Sequence, residues 1–430
     1  MEKAYERLIR YAKVHTTSDE ESGTHPSFKG EADLANMLCE ELKDIKLEGV
    51  RVDDHCYVYA YLPATPGYEG ATKLGFIAHM DTSPDASGKD VNPVLRPDYD
   101  GGDIILEGSG DVLSANRFPE LKNYIGDTLI TTDGTTLLGA DDKAGVAEIM
   151  TAFETVIREN RPHGELWIAF TPDEEIGEGA DFFDLKNFGA TYAYTVDGGD
   201  VNALEYENFN AAGAEINIKG ISVHPGSAKN IMVNAALVGM ELHDLLPGKM
   251  RPEYTEDHEG FIHLIGFNGQ VSFAKLQYII RDHDMALFEK KKEIMADAVK
   301  EINKRYGEGT AVLNMKDSYY NMLEKIKPHM HLIENARTAI RKAGLDPVDV
   351  PVRGGTDGAR LSYEGLPCPN LGTGGCNYHG IYECCSVEKM DKAVEIILNI
   401  IEIYSKFSAD SWNSIYRVKK KRSSIDEDLR

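Results

Sequence analysis

The sequence predicts an α/β protein with a mostly parallel central sheet covered by helices, into which a second, smaller domain is inserted. Short apolar runs bounded by Gly, Pro and Asp recur along the chain, and such runs are typical of strands buried on both faces of a sheet. Segments with helical apolar spacing alternate with these runs, as in α/β folds. Between about residues 208 and 322 the order of elements changes, which indicates a separate domain.

The larger domain is predicted from four apolar runs and four helical segments. The runs expected to form strands are Tyr57–Leu62, Lys73–Ala78, Leu166–Thr171 and Tyr192–Val196. Apolar residues spaced three and four apart predict helices over 2–14, 30–48, 144–159 and 330–343. Because helices alternate with strands, most of the strands are expected to be parallel.

The inserted segment has the element order β-α-β-β-α-β, which is that of ferredoxin-like domains. In chain order, its predicted strands and helices cover residues 214–219, 230–246, 261–267, 271–281, 285–306 and 310–317. Asn268-Gly269 predicts the hairpin turn between the two central strands. The expected division is a main domain of residues 1–207 plus 323–410, an inserted domain of residues 208–322, and a disordered or loosely packed tail of residues 411–430.

The composition and net charge of the chain exclude some classes of binding partner and indicate the cellular compartment. The chain has 430 residues and a formal net charge of −25, which argues against a nucleic-acid or anionic membrane surface as partner. The N-terminus lacks the apolar block of a signal peptide. The six cysteines form no CxxC pair, which is typical of a reducing compartment. We therefore expect a cytoplasmic protein, either a monomer or a homodimer.

Acidic and imidazole side chains follow three of the predicted strands directly. His79 and Asp81 follow the second apolar run, Asp173-Glu174-Glu175 follow the third, and Asp197 follows the fourth. In open α/β sheets, ligands bind outside the carboxyl ends of the strands. The pair Asp141-Asp142 stands just before a predicted helix, and His379 supplies a second imidazole near the end of the chain.

Two histidines and several carboxylates have the chemistry of a paired zinc site, in which one carboxylate can bridge two ions. Asp81 can hold the second ring nitrogen of His79. Of Glu174 and Glu175, one is expected to bind metal and the other to accept a proton from water, and the spacing alone leaves the choice open. Taken singly, each of these pairs is also compatible with a helix cap or a solvated charge run.

Four sequence blocks resemble the di-zinc exopeptidases, the family that includes peptidase T, carboxypeptidase G and succinyl-diaminopimelate desuccinylase. The blocks are His79-Met80-Asp81-Thr82, Gly139-Ala140-Asp141-Asp142-Lys143-Ala144-Gly145, Pro172-Asp173-Glu174-Glu175-Ile176-Gly177 and Asn377-Tyr378-His379-Gly380. The segment Arg353-Gly354-Gly355-Thr356-Asp357-Gly358 favours the peptidase T branch. The resemblance extends over residues 1–408 and implies a zinc exopeptidase-like catalytic domain with an inserted lid domain.

The resemblance also implies a role for each matched residue. The metal ligands would be His79, Asp141, Glu175, Asp197 and His379, with Asp141 bridging two zinc ions, and a cis peptide bond would follow Asp141. Asp81 would orient His79, and Glu174 would be the general base. In the lid, His224 and Arg281 would contact the substrate, and Arg353 is a further candidate substrate-binding residue.

The activity that the resemblance implies is that of a zinc-dependent aminopeptidase acting on short peptides, with tripeptides preferred. The alternative is an acyl-amino-acid hydrolase or a carboxypeptidase on the same scaffold, which would recognise the other end of the substrate. A metal- or peptide-binding protein without activity is a third reading, and the presence of Asp81 and Glu174 argues against it.

Overall fold

The computed structural model describes residues 1–408, so the predicted tail at 411–430 lies outside the described residues. The helices, in chain order, are α1 Ala4–Tyr11, α2 Gly30–Asp44, α3 Ala140–Arg158, α4 Ala235–Asp244, α5 Met285–Tyr306, α6 Leu323–Ile326, α7 His331–Lys342, α8 Asp357–Glu364 and α9 Val387–Tyr404. The strands are β1 Glu48–Val52, β2 Val58–Leu62, β3 Leu74–His79, β4 Val94–Arg96, β5 Ile104–Ile105, β6 Val112–Leu113, β7 Leu129–Thr131, β8 Leu166–Thr171, β9 Tyr192–Gly198, β10 Ala203–Glu205, β11 Asn210–Lys219, β12 Phe261–Gly269, β13 Phe273–Asp282, β14 Ala311–Tyr319, β15 Val348–Asp349, β16 Asn370–Gly372, β17 Gly375–Cys376 and β18 Cys384–Ser386. None of the helices in this part of the chain is long and apolar enough to span a bilayer.

The chain divides into two compact units. The first comprises Met1–Tyr206, Glu324–Val350 and residues 356–408, and the second comprises Glu207–Leu323 with Pro351–Gly355. The sequence-based division had placed residues 351–355 in the larger domain. They belong to the second unit because the Arg353 guanidinium donates hydrogen bonds to the carbonyl oxygens of Asp257 and Glu259, at 2.8 and 2.9 Å.

An eight-stranded sheet forms the centre of the first unit, in the order β1-β2-β8-β3-β9-β16-β10-β15. The central strands β8, β3, β9 and β16 are parallel to one another, whereas β1, β2 and β10 pair in antiparallel fashion with a neighbour. The four predicted strands are β2, β3, β8 and β9, and the predicted α/β class is confirmed. Two small additional sheets, β17-β18-β7-β4 and β5-β6, were not predicted.

Helix α3 packs against β3 and β9 and connects the core to the edge of the sheet at which these two strands end. Phe76 of β3 meets Phe153 of α3 edge-on, with ring centroids 6.1 Å apart. Nearly every residue of α3 is buried, because α1 and α9 cover its other faces. The first residues of α3 are Ala140, Asp141 and Asp142, so packing of this helix fixes where those carboxylates lie.

The second unit has the predicted β-α-β-β-α-β order, formed by β11, α4, β12, β13, α5 and β14. Its four strands form an antiparallel sheet in the order β12-β13-β11-β14. Residues of α4 and α5 share an apolar core with one face of the sheet; Val238, Ile280 and Phe288 are examples. The ferredoxin-like architecture of this unit is confirmed.

Gly145 allows α3 to approach β9, and we predict that Gly145→Ala destabilises the protein. A Cβ at this position would overlap the carbonyl oxygen of Val196, the residue before Asp197. In an open helix, alanine would be favoured over glycine by about 1 kcal/mol, but a backbone clash in a packed core costs about 3 kcal/mol. The expected result is a lower thermal unfolding midpoint together with weaker metal binding.

Gly213→Ala is the matched control, since nothing lies within 4 Å of the Cβ that this change would add. We expect its free energy of unfolding to stay within about 0.5 kcal/mol of the wild-type value. A Gly145→Ala protein as stable as this control would contradict the packing argument.

Candidate metal centre

The candidate metal ligands come from loops and strand ends at one edge of the central sheet. His79 is the last residue of β3, and Asp197 lies one residue before the end of β9. The segment with Glu174 and Glu175 follows β8 as a short 3-10 turn. Because β8, β3 and β9 are parallel neighbours, their carboxyl ends lie at the same edge.

The first ligand group consists of His79, Asp141 and Asp197. The Nε2 atom of His79 lies 3.0 Å from Oδ1 of Asp141 and 3.4 Å from Oδ1 of Asp197. The imidazole is only 2% exposed, so its orientation is fixed by packing. One nitrogen and two carboxylate oxygens thus face a common point.

The second ligand group consists of Asp141, Glu175 and His379. The Nε2 atom of His379 lies 3.3 Å from Oδ2 of Asp141 and 3.1 Å from Oε2 of Glu175. The two oxygens of Asp141 therefore face different imidazoles, Oδ1 toward His79 and Oδ2 toward His379. A carboxylate placed in this way is able to bridge two divalent cations.

The pKa values of the carboxyl groups in these two ligand groups indicate that cations would stabilise them. Burial and the neighbouring carboxylates raise the pKa of Glu175 to about 11, and burial raises the pKa of Asp197 to about 7. Burial opposes ionisation of Asp141, but hydrogen bonds to His379 and His79 lower its pKa below the usual range. Oε1 of Glu175 is buried and has no hydrogen-bond partner within residues 1–408. Such a crowded set of carboxylates is stabilised when divalent cations supply positive charge.

Asp81 connects the imidazole of His79 to the segment that carries both glutamates. Nδ1 of His79 lies 3.1 Å from the Asp81 carbonyl oxygen and 3.3 Å from its Oδ1. The two carboxylate oxygens of Asp81 accept hydrogen bonds from the backbone N–H groups of Glu174 and Glu175, both at 3.0 Å. A single buried carboxylate thus positions a ligand and the adjoining turn.

The two glutamates that the sequence could not tell apart differ in their contacts. Glu175 belongs to the ligand group of His379, whereas neither three-residue group at this edge of the described sheet contains Glu174. Burial raises the pKa of Glu174 well above its usual range, and nearby carboxylates, including Asp197, raise it further, while His79 lowers it. The two neighbouring glutamates therefore differ in that only Glu175 belongs to a candidate ligand group.

Asp142, the second residue of the pair Asp141-Asp142, accepts hydrogen bonds from two backbone N–H groups. Oδ2 of Asp142 accepts a hydrogen bond from the backbone N–H of His79 at 3.2 Å, and Oδ1 accepts one from Gly145 at 3.2 Å. The peptide bond between Asp141 and Asp142 is cis, as the resemblance implied. The pair therefore divides into one side chain that faces the imidazoles and one that fixes β3 to the start of α3.

Glu383 is a contributor to this centre that sequence analysis missed. Its buried carboxylate accepts hydrogen bonds from the backbone N–H groups of Leu138, Gly139 and Asp141, at 2.8, 2.7 and 3.1 Å. It thereby joins the segment after His379 to the turn that presents Asp141. The only signal in the sequence is an acid four residues beyond a candidate ligand, which is too common a pattern to be diagnostic.

The three residues expected to contact the substrate all lie in the second unit. Nδ1 of the exposed His224 accepts a hydrogen bond from the backbone N–H of Gly226 at 3.1 Å, which leaves Nε2 as the protonated nitrogen. The Arg281 guanidinium donates to the carbonyl oxygens of Ala212 and Ile280, and within residues 1–408 it forms no ion pair. Arg353 holds residues 255–259 through its bonds to their backbone.

We predict that Glu383→Gln weakens metal binding by about tenfold to a hundredfold, the usual effect of losing a group that orients a metal ligand. An amide accepts hydrogen bonds less strongly than a carboxylate, and its NH₂ group would oppose one of the three backbone donors. Glu388→Gln is the control, because Glu388 also accepts a backbone bond, from Thr128 at 2.7 Å. Competition with a chelator measures the affinity, and equal affinities in the two variants would contradict the assignment.

The comparisons with known proteins agree with this geometry. The model of peptidase family M20/M25/M40 matches residues 132–403. The chain is 55% identical to peptidase T of Caldanaerobacter subterraneus subsp. tengcongensis and 56% identical to peptidase T of Clostridium novyi, in each case over 94% of this chain and 100% of the relative.

A solved structure shares the fold. Aminopeptidase PepT from Bacillus cereus ATCC 10987 superposes with a TM-score of 0.74 at 24% identity, covering 93% of this chain and 97% of that one. With a family model matching more than half of the chain and relatives this similar over their full length, the chain belongs to peptidase family M20/M25/M40 and, within it, to the peptidase T family.

Proposed function

We propose that this protein is a cytoplasmic aminopeptidase that uses two zinc ions to release the N-terminal residue of short peptides, with tripeptides preferred. The observation that carries the proposal is the pair of ligand groups that share Asp141, beside a glutamate that belongs to neither group. The relatives named peptidase T support the choice of reaction and substrate. A monomer or a homodimer is compatible with this activity.

In this proposal His79 and Asp197 would hold one zinc ion, His379 and Glu175 would hold the other, and Asp141 would be shared by both. Imidazole nitrogens and carboxylate oxygens are ordinary zinc ligands. When bound, the two ions lower the pKa of the attacking water and polarise the scissile carbonyl group.

The proton transfers are assigned to Glu174. Its carboxylate accepts the proton of the attacking water and then donates it to the amine that leaves. Burial raises the pKa of Glu174, which favours a carboxyl group that holds the proton between the two transfers. Asp81 keeps the backbone of Glu174 in place during both transfers.

Substrate recognition is assigned to the second unit. The Nε2–H group of His224 is suited to donate a hydrogen bond to the oxyanion that forms at the attacked carbonyl. Arg281, which forms no ion pair with the carboxylates of residues 1–408, would bind the C-terminal carboxylate of the peptide. Binding at a fixed distance from the reacting bond would explain the preference for tripeptides. Arg353 contributes by holding residues 255–259.

We predict that Glu174→Gln lowers kcat by at least about 10²–10⁴-fold, the usual contribution of a general base, and leaves the metal content unchanged. Glu175→Gln is the matched variant, one residue away in the same turn, and it should lose metal together with activity. Metal analysis by mass spectrometry and a hydrolysis assay on Ala-Ala-Ala measure both quantities. Loss of metal in the Glu174 variant alone would reverse the two assignments.

A peptide panel tests the substrate class. Ala-Ala-Ala should be hydrolysed, N-acetyl-Ala-Ala-Ala should resist hydrolysis because the free amine is absent, and the C-terminally amidated tripeptide should show a raised KM. The same panel with Arg281→Met should abolish the difference in KM between the free and the amidated tripeptide. Faster hydrolysis of the acetylated peptide would favour an acyl-amino-acid hydrolase or a carboxypeptidase.

A further inference from the structure

A third group of metal-ligating side chains lies outside the paired centre. It consists of His25, Asp173 and Glu178, whose ligand atoms lie within 4.8 Å of one another. Nδ1 of His25 lies 2.9 Å from Oδ2 of Asp173 and 3.8 Å from Oε2 of Glu178. His25 comes from the loop before α2, and the two carboxylates flank the turn after β8, so the group joins segments distant in sequence.

The imidazole of His25 is buried and has no hydrogen-bond partner among the described residues. Its side chain is 7% exposed, yet neither ring nitrogen makes a hydrogen bond there. The 2.9 Å contact between Nδ1 and Oδ2 of Asp173 is an ion pair that lacks the alignment of an N–H···O bond. His25 is thus ion-paired but not hydrogen-bonded, and a buried polar atom without a hydrogen bond costs about 1–3 kcal/mol, which favours a further partner.

The distance between Nδ1 of His25 and Oδ2 of Asp173 fits two ligand atoms bound to the same cation. Two ligand atoms that are each about 2.1 Å from one cation, at angles of about 90–110°, lie about 3.0–3.4 Å apart. In the paired centre, Nε2 of His79 lies 3.0 Å from Asp141, which is close to the 2.9 Å between His25 and Asp173. Glu178 is 46% exposed, so its side chain is free to close the remaining distance.

The two buried ligands are held rigidly by their neighbours. The backbone N–H of Ser27 donates to both carboxylate oxygens of Asp173, at 3.0 and 2.9 Å, and each oxygen keeps a lone pair for a further contact. The ring of His25 stacks on Tyr57, with centroids 5.6 Å apart and planes at 22°. A site held in this way loses little conformational entropy on binding.

A cleft of about 460 Å³ opens beside this group. Its charged lining residues include Asp19, Glu20 and Glu178, and no lysine or arginine of the described part of the chain lines it. Asp181 also lines the cleft but is paired with Arg360. The cleft is therefore both negative and open to water, which would complete the coordination of a cation.

We propose that His25, Asp173 and Glu178 form a third divalent-cation site, which binds a transition-metal ion such as Zn²⁺ or Mn²⁺. One imidazole with two carboxylates suits such ions. The ion ties the loop of residues 19–28 to the turn that carries Glu174 and Glu175. Its role is to stabilise that turn, and it takes no part in the reaction.

The test compares bound zinc in the wild-type protein with that in two ligand variants. Metal-depleted proteins are dialysed against Zn²⁺, and the zinc content is measured by mass spectrometry. Glu178→Gln removes an exposed ligand, and His25→Phe keeps a ring against Tyr57 without a ligand atom. We expect each variant to bind about one zinc ion per chain fewer than the wild type. Glu20→Gln, which alters the same cleft outside the group, should bind as much zinc as the wild type.

Equal zinc content in the wild type and both ligand variants would overturn the proposal, as would an equal loss in Glu20→Gln. The measured quantity is a difference between proteins that all keep the paired centre. It is therefore independent of whether that centre binds two ions, and the site can fail without affecting the proposed function.

Discussion

The structure of the metal-binding edge depends on one constraint: the carboxylate of Asp141 must face two imidazoles at once. Its two oxygens lie 3.0 and 3.3 Å from Nε2 of His79 and of His379, respectively. A carboxylate spans only about 2 Å between its oxygens, so small displacements of the backbone would remove one contact and keep the other. The surrounding carboxylates Asp81, Asp142 and Glu383 all restrict such displacements through backbone N–H groups.

Much of the fold was predictable because its main strands and helices can be recognised from short, continuous stretches of sequence. The strands β2, β3, β8 and β9 are apolar runs with clear ends, and the residues that follow them form the candidate metal centre. The β-α-β-β-α-β order was readable because α5 is long and the segments around it alternate. The hairpin turn was wrongly placed: Asn268 and Gly269 pair with Lys275 and Ala274 as the end of β12, and the turn lies at residues 270–272. In contrast, the strands of the two small sheets are two or three residues long, which is too short for any periodicity to appear.

The parts of the site that sequence could not supply are those set by contacts between distant segments. Residue types and spacing left Glu174 and Glu175 equivalent, and their difference arises from which side chain the turn directs toward His379. Glu383 accepts hydrogen bonds from backbone N–H groups more than 240 residues earlier in the chain. His25 forms an ion pair with Asp173 from a loop that contains no recognisable motif. The position of Arg353 in the second unit likewise follows from its contacts with residues 255–259.

The carboxylates of Asp81, Asp142 and Glu383 are stabilised by backbone N–H groups, and this affects how well the neighbouring ligand groups can bind metal. A lysine or arginine paired with Asp81, Asp142 or Glu383 would add a full positive charge beside the ligand groups and repel divalent cations. Backbone N–H groups stabilise a buried carboxylate as partial dipoles, without that charge. Lys143 is the cation closest in sequence to Asp141 and Asp142, and its burial lowers its pKa to about 7 while its Nζ atom donates to the Val14 carbonyl oxygen. Among the described residues, the backbone donors thus leave these carboxyl groups available to ionise when a pair of divalent cations supplies the positive charge.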